Sequence, residues 1–118
     1  MTWQENFNCG SEIILATSSH KLKPNANVVI SLGFVDNRLM IADCQMVTTL
    51  NNLKENPQVC VISKYFKICG IAEILLSGRL FDKCVEIVST QDSSLVVKNA
   101  ILITVKEVFD LEKVKKII

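Results

Sequence analysis

The 118-residue chain carries 13 basic and 12 acidic side chains, and 49% of it is apolar. That size and apolarity suit one domain around one core, with no need of a metal or disulfide staple, and the near-neutral balance excludes the basic field that attracts nucleic acid or an anionic membrane. No apolar run approaches the roughly 20 residues that span a bilayer, and the opening Met-Thr-Trp-Gln-Glu-Asn-Phe-Asn lacks the charged-then-apolar plan of a signal peptide, so a cytoplasmic location is expected.

After this polar leader, "EIILATSS" (12–19) predicts a first strand, and its apolar content fades into the turn-forming "SSHKLKPN". "NVVISLGFVDNRLMIAD" holds two β-rich halves separated by Val35-Asp36-Asn37. Asp-Asn tolerates the left-handed geometry of a tight hairpin turn, so a hairpin is expected there. From Met46 to Asn56, Val47, Leu50 and Leu53 recur on one helical face, and Asn56-Pro57 supplies the stop: a short helix. "QVCVIS" is a fourth strand and "ICGIAEILLSG" a fifth, with Gly70 as a bulge or close-packing point and Tyr65 and Phe66 in the loop between them. Leu80, Phe81, Cys84, Val85 and Val88 line one face of a second helix over about 79–90. Beyond the polar "QDSSLVVKN", the β-branched "AILITVKEVFDL" predicts a last strand whose start is buried on both faces. The terminal "EKVKKII", from about 112, is expected to fray or to dock through Ile117 and Ile118. Six strands and two short helices, mostly joined by short turns, predict a mainly β fold, a small barrel. A parallel sheet would need a helix after nearly every strand.

Chemistry-bearing residues are sparse. The five cysteines (Cys9, Cys44, Cys60, Cys69, Cys84) are widely separated, and with His20 as the single histidine they make no metal-ligand pattern. Cys60 and Cys69, in apolar strand segments, are expected to act as small buried hydrophobes, and Cys44 is the one candidate for a reactive thiol. His20, beside Lys21 and Lys23, is expected to be a solvated loop residue, and Glu73 to face solvent or an interface. No P-loop, dinucleotide fingerprint or nucleophile elbow occurs. What stands out is the break between strand and helix at Thr48-Thr49. The first amides of a helix are unpaired and lie at the positive end of its dipole, so this point is open to two readings: a threonine capping the helix, or a cradle for an anion such as phosphate.

Four segments, "ILATSSHKLKPNANVVISL", "RLMIADCQMVTTLNNLKENPQVCV", "GIAEILLSGRLFD" and "ILITVKEVFDL", together resemble the small FMN-binding split-barrel proteins related to pyridoxamine 5'-phosphate oxidase. The most specific part is Ile41-Ala42-Asp43 with Met46, Thr49 and Asn52-Leu53-Lys54-Glu55-Asn56-Pro57, reinforced by Ser77-Gly78 and Phe81-Asp82. The resemblance implies a six-stranded split barrel that forms a homodimer, with FMN at each end of the subunit interface. It implies that Val28, Val29, Ile30 and Ser31 line the isoalloxazine ring, largely through backbone, that Met46, Val47, Thr48 and Thr49 hold the phosphate, and that Asn52 supports it. One departure stands in the motif: relatives that bind FMN well resemble Met-x-Lys-Thr where this chain has Met46-Val47-Thr48-Thr49. Losing a hydrogen bond to a charged group, worth roughly 1.5 to 3 kcal/mol, weakens binding about tenfold to a hundredfold unless Lys21, Lys23 or Arg38 substitutes. The function implied is an FMN-binding, oxidoreductase-like protein working by hydride or electron transfer. The alternative is a non-enzymatic module for flavin, deazaflavin or haem, or a dimer that has lost its ligand.

Overall fold

A computed structural model describes residues 2–118; Met1, the first residue of the expected domain, lies outside the described residues. A 3-10 turn over Trp3–Phe7 precedes β1 (Glu12–Ser18), β2 (Pro24–Val35), β3 (Arg38–Asp43), β4 (Gln58–Ser63), β5 (Phe66–Leu75), β6 (Asn99–Asp110) and the two-residue β7 (Lys115–Lys116). Helix α1 (Thr48–Glu55) joins β3 to β4, and α2 (Arg79–Gln91) joins β5 to β6. All pairings are antiparallel in the order β3-β2-β1-β4-β5-β6-β7, and β3 also pairs with β6 from Leu39↔Ile103 to Asp43↔Asn99. That last pairing closes six strands into a barrel, the mainly β architecture that the residue pattern and the resemblance predict.

Strand alternation fills the barrel. Ile13 and Leu15, Leu39 and Ile41, Val59 and Val61, and Ile68 point inward with Ile101 and Ile103. Leu102 and Ala100 of β6 face the other way, meeting Met40, Leu32 and the Cys84–Val88 stripe of α2. Both faces at the start of β6 are therefore buried, which is why its sequence is almost continuously apolar. In α2 the buried stripe runs through Leu80, Phe81, Cys84, Ile87 and Val88, whereas Val85 is 41% exposed, one step outside it.

Turn chemistry places the strand ends. Asp36 and Asn37 adopt φ of 51° and 65°, closing β2 onto β3 with the left-handed pair that the sequence predicts. β2 begins at Pro24, with five residues between it and the end of β1 at Ser18, and its polar Asn25 and Asn27 are laddered onto Thr17 and Leu15 of β1. Composition alone assigns Asn25 to a turn; the ladder holds it in a strand. At the chain's end, the Asp110 carboxylate accepts from the Glu112 and Lys113 amides, both at 3.0 Å, and reverses the backbone so that Lys115 and Lys116 pair with Asp110 and Phe109. The Ile117 amide then donates to the Val108 carbonyl at 2.7 Å, so the tail docks by main chain while Ile117 and Ile118 stay exposed.

Parity in β4 and β5 corrects one expectation. With Val59, Val61 and Ser63 inward, Cys60 must point outward with Ile62, and Cys69 does so with Lys67 and Ile71. The two thiols are half-buried on the outer face rather than packed in the core.

Candidate functional site

β3 ends at Asp43, which is fully buried. One carboxylate oxygen accepts from the Met46 amide at 2.8 Å, the other from the Asn99 side-chain amide at 2.6 Å, and the Asp43 carbonyl accepts from the Lys98 amide at 2.8 Å. These bonds bind the break 44–47 to the start of β6. The helix therefore starts at Thr48, two residues after the expected Met46, with Val47 at the N-cap and no side-chain cap bond. Asp43→Asn keeps the shape but replaces a charge-assisted acceptor; it is expected to lower unfolding free energy in urea by about 1 kcal/mol, since the Asn99 amide can turn to restore one neutral bond.

Neither threonine caps the helix. Thr49 is 3% exposed, and its hydroxyl donates to Asn27 Oδ1 at 2.6 Å while accepting from Asn25 Nδ2 at 3.2 Å, which ties α1 to β2. Thr48 is exposed with its hydroxyl free to face a ligand. The first intrahelical bond runs from the Asn51 amide to the Val47 carbonyl at 3.0 Å, so the amides of Thr48, Thr49 and Leu50 precede it without helical partners.

Against this helix start lies an open groove of about 530 Å³, a size that accommodates a small cofactor. Val28, Val29, Ile30 and Leu32 of β2 form one wall with Ala42; Cys44 to Thr49 form the other; Val88, Gln91 and Leu95 close an end. Of the residues singled out in the sequence, Val28, Val29, Ile30, Met46, Val47, Thr48 and Thr49 converge here. Ser31 and Asn52 do not line it. Ser31 is fully buried, donating to the Phe7 carbonyl at 2.6 Å and accepting from the Gly33 amide at 2.9 Å; the Asn52 amide donates to Thr17 Oγ1 at 3.1 Å. Groove residues that sequence reasoning missed include Leu32, Ala42 and Gln45 near the predicted segments, Asn25 and Asn27 earlier in β2, and Val88, Gln91 and Leu95 from α2 and the loop after it. No periodicity links that distant segment to β2.

No Lys, Arg, His, Asp or Glu lines the groove. Lys21 and Lys23 lie outside it, and Arg38 is held at 3.2 Å by Glu73 on the outer surface. His20 is exposed and bonds to Glu55, whose carboxyl it pulls below the usual carboxylate range. Tyr65 is 61% exposed at the β4–β5 turn, and neither it nor Phe66 reaches the groove. Burial raises the Cys44 thiol, and the Asp43 carboxylate raises it further against a smaller pull from Lys98, so Cys44 is a groove wall rather than an activated nucleophile. Among the described residues no three His, Cys, Asp or Glu side chains cluster as a metal site, and no helix is long and apolar enough to cross a membrane.

No family model matches the sequence, and no curated protein matches it. Solved structures do. HupZ of Group A Streptococcus superposes with a TM-score of 0.83 at 18% identity, covering 96% of this chain and 94% of its own. HutZ, the haem storage protein from Vibrio cholerae, gives 0.73 at 13% identity, covering 90% and 89%. A pyridoxamine 5'-phosphate oxidase-related, FMN-binding protein from Nostoc punctiforme gives 0.62 at 12% identity, covering 82% and 71%. The fold is the split barrel that these structures share. At these identities the likeness establishes the architecture of the split barrel, and the function rests on the groove.

Proposed function

We propose that this split barrel binds FMN in the groove between β2 and the start of α1, as a homodimer in the cytoplasm. The observation that carries the reading is the convergence of an apolar wall, Val28, Val29 and Ile30, with the unpaired amides and free Thr48 hydroxyl at a helix N-terminus. A planar ring suits the first and an anionic tail the second. Met46 and Leu32 would bound the ring, and the Gln45 amide and Thr48 hydroxyl would offer neutral donors to the tail. When bound, the flavin supplies hydride or electron transfer, while the protein contributes position and exclusion of water.

Homodimerisation is supported by the outer sheet face beside the groove. Val28 is 66% exposed, Ile30 43% and Ile14 42%, and Val28 sits directly opposite Ile14, which sits opposite Ile62. Exposed apolar residues contiguous with a groove favour a second copy that covers both. Ile14→Asp, outside the groove, is expected to weaken self-association at least tenfold, read by sedimentation of dilute protein; undiminished association would remove this face from the interface. The five thiols are unbridged, in keeping with a reducing compartment.

The test is the absorbance spectrum of freshly purified protein, followed by FMN titration against melting temperature. A yellow preparation, or a melting temperature that rises with FMN, supports the reading, because a ligand that binds only the native state must stabilise it. Turnover with reduced nicotinamide and an electron acceptor then separates enzyme from carrier. The absence of any Lys, Arg, His, Asp or Glu side chain along the groove favours a second reading, a non-enzymatic module holding flavin, deazaflavin or haem, or one that has lost its ligand. A colourless protein with no response to FMN supports that alternative.

A further inference from the structure

Cys60 and Cys69 stand opposite each other across the β4–β5 hairpin, with their Sγ atoms 3.2 Å apart. The hairpin closes through the two residues Lys64 and Tyr65, so its first pair, Ser63 with Phe66, is hydrogen-bonded, and alternation makes Cys60 with Cys69 a non-hydrogen-bonded pair. In such pairs the Cα atoms approach to about 4.5 Å and the side chains lean together, within the range that a disulfide spans. Both side chains face outward, half-exposed, beside a shallow groove lined by Ala16, Thr17, Gln58 and Lys106. In the ladder the pair lies between Ala16 on β1 and Glu107 on β6.

We propose that Cys60 and Cys69 are a preorganised dithiol that closes reversibly to a disulfide by exchange with low-molecular-weight disulfides. One protein thiolate attacks the reagent's S–S bond, forming a mixed disulfide and releasing the first thiolate. The second cysteine, deprotonated, attacks the protein sulfur of that mixed disulfide and releases the second. Two protein thiols are oxidised, one reagent disulfide is reduced to two thiols, and the two protons pass to the released sulfurs. Desolvation, then the hydrogen bond and charge of Cys60, push the Cys69 thiol up to about 11, with Lys67 opposing and Glu107 adding. The exchange is accordingly slow at neutral pH and quickens as pH rises.

The experiment incubates the reduced full chain with oxidised glutathione and follows intact mass and a proteolytic map. The expected product yields a Cys60–Cys69 cross-linked peptide about 2 Da lighter than its two reduced peptides together, two hydrogens having left, whatever glutathione the exposed Cys9 retains. Cys60→Ser and Cys69→Ser are each expected to stop at the mixed disulfide, retaining glutathione on the cysteine of the pair that remains. Closing a short loop in unstrained geometry should raise the melting temperature by roughly 5 to 10 °C, reversed by a thiol reductant. Wild-type protein that keeps glutathione on Cys60 or Cys69 without closing, recovery of both as free thiols, or an oxidised form that melts below the reduced one would each overturn the proposal.

Discussion

Gly70→Ala is expected to cost about 3 kcal/mol of stability and to lower the melting temperature by roughly 10 °C. A Cβ built at Gly70 falls 2.3 Å from the Thr104 carbonyl oxygen and 3.1 Å from Ile103 Cγ2. The first is a backbone atom on the neighbouring strand and cannot swing aside like the end of a flexible side chain. The register shifts between Cys69 and Gly70, where Glu107 and Val105 are their partners on β6 and Lys106 is the extra residue, so β6 bends toward β5 at this point. Two effects oppose each other. Gly70 has no positive φ, so alanine relieves chain entropy by about 0.4 to 1 kcal/mol. Forcing a methyl into a packed seam costs typically 1 to 3 kcal/mol, and more where backbone must move. The collision wins, and denaturant unfolding would measure the difference. A variant that melts within a couple of degrees of wild type would mean that β5 and β6 do not approach so closely, and the bulge assignment would fail with it.

That Gly70 was legible as a close-packing point, while Cys60 and Cys69 were misread as core, shows what kind of information the chain carries locally. A glycine interrupting β-branched residues has few explanations. The segment Gln-Val-Cys-Val-Ile-Ser is apolar at four consecutive positions, so composition leaves its inward parity open; pairing with β1 and β5 sets it. Pairing also explains why the tail was hard to read. Its docking depends on the Asp110 turn and on Val108, which has backbone groups free to receive it only because β6 is otherwise an edge beyond β5 there. The helix start follows the same logic. Met46 and Val47 continue the apolar period, yet the Asp43 side chain captures the Met46 amide and delays the first helical residue to Thr48. In the groove, the contiguous segments Val28–Ile30 and Met46–Thr49 were legible, and the contribution from Gln91 and Leu95, some 40 residues downstream of Thr49, required the folded chain.

Thr48→Lys is expected to tighten FMN binding at least severalfold. Thr48 lines the groove and is exposed, so a longer side chain has room there, and the groove has no cation for the new one to duplicate. A charge-assisted hydrogen bond to phosphate is worth roughly 1.5 to 3 kcal/mol, against which ordering the lysine side chain costs up to about 2 kcal/mol. The surplus is a severalfold to tens-fold gain. Lysine at a helix N-terminus also opposes the helix dipole by about 0.3 to 1 kcal/mol. That cost falls on the ligand-free fold, so the variant should melt slightly below wild type alone and closer to it, or above it, with FMN. Two controls isolate charge from length. Thr48→Met, similar in reach and neutral, should not tighten binding, and the lysine's advantage should shrink as salt rises, because the pair is solvent-accessible. A Thr48→Lys protein that folds normally yet binds FMN no more tightly than wild type would show that the phosphate does not lie at this helix start, and would leave the apolar wall of β2 as the only part of the groove still assigned.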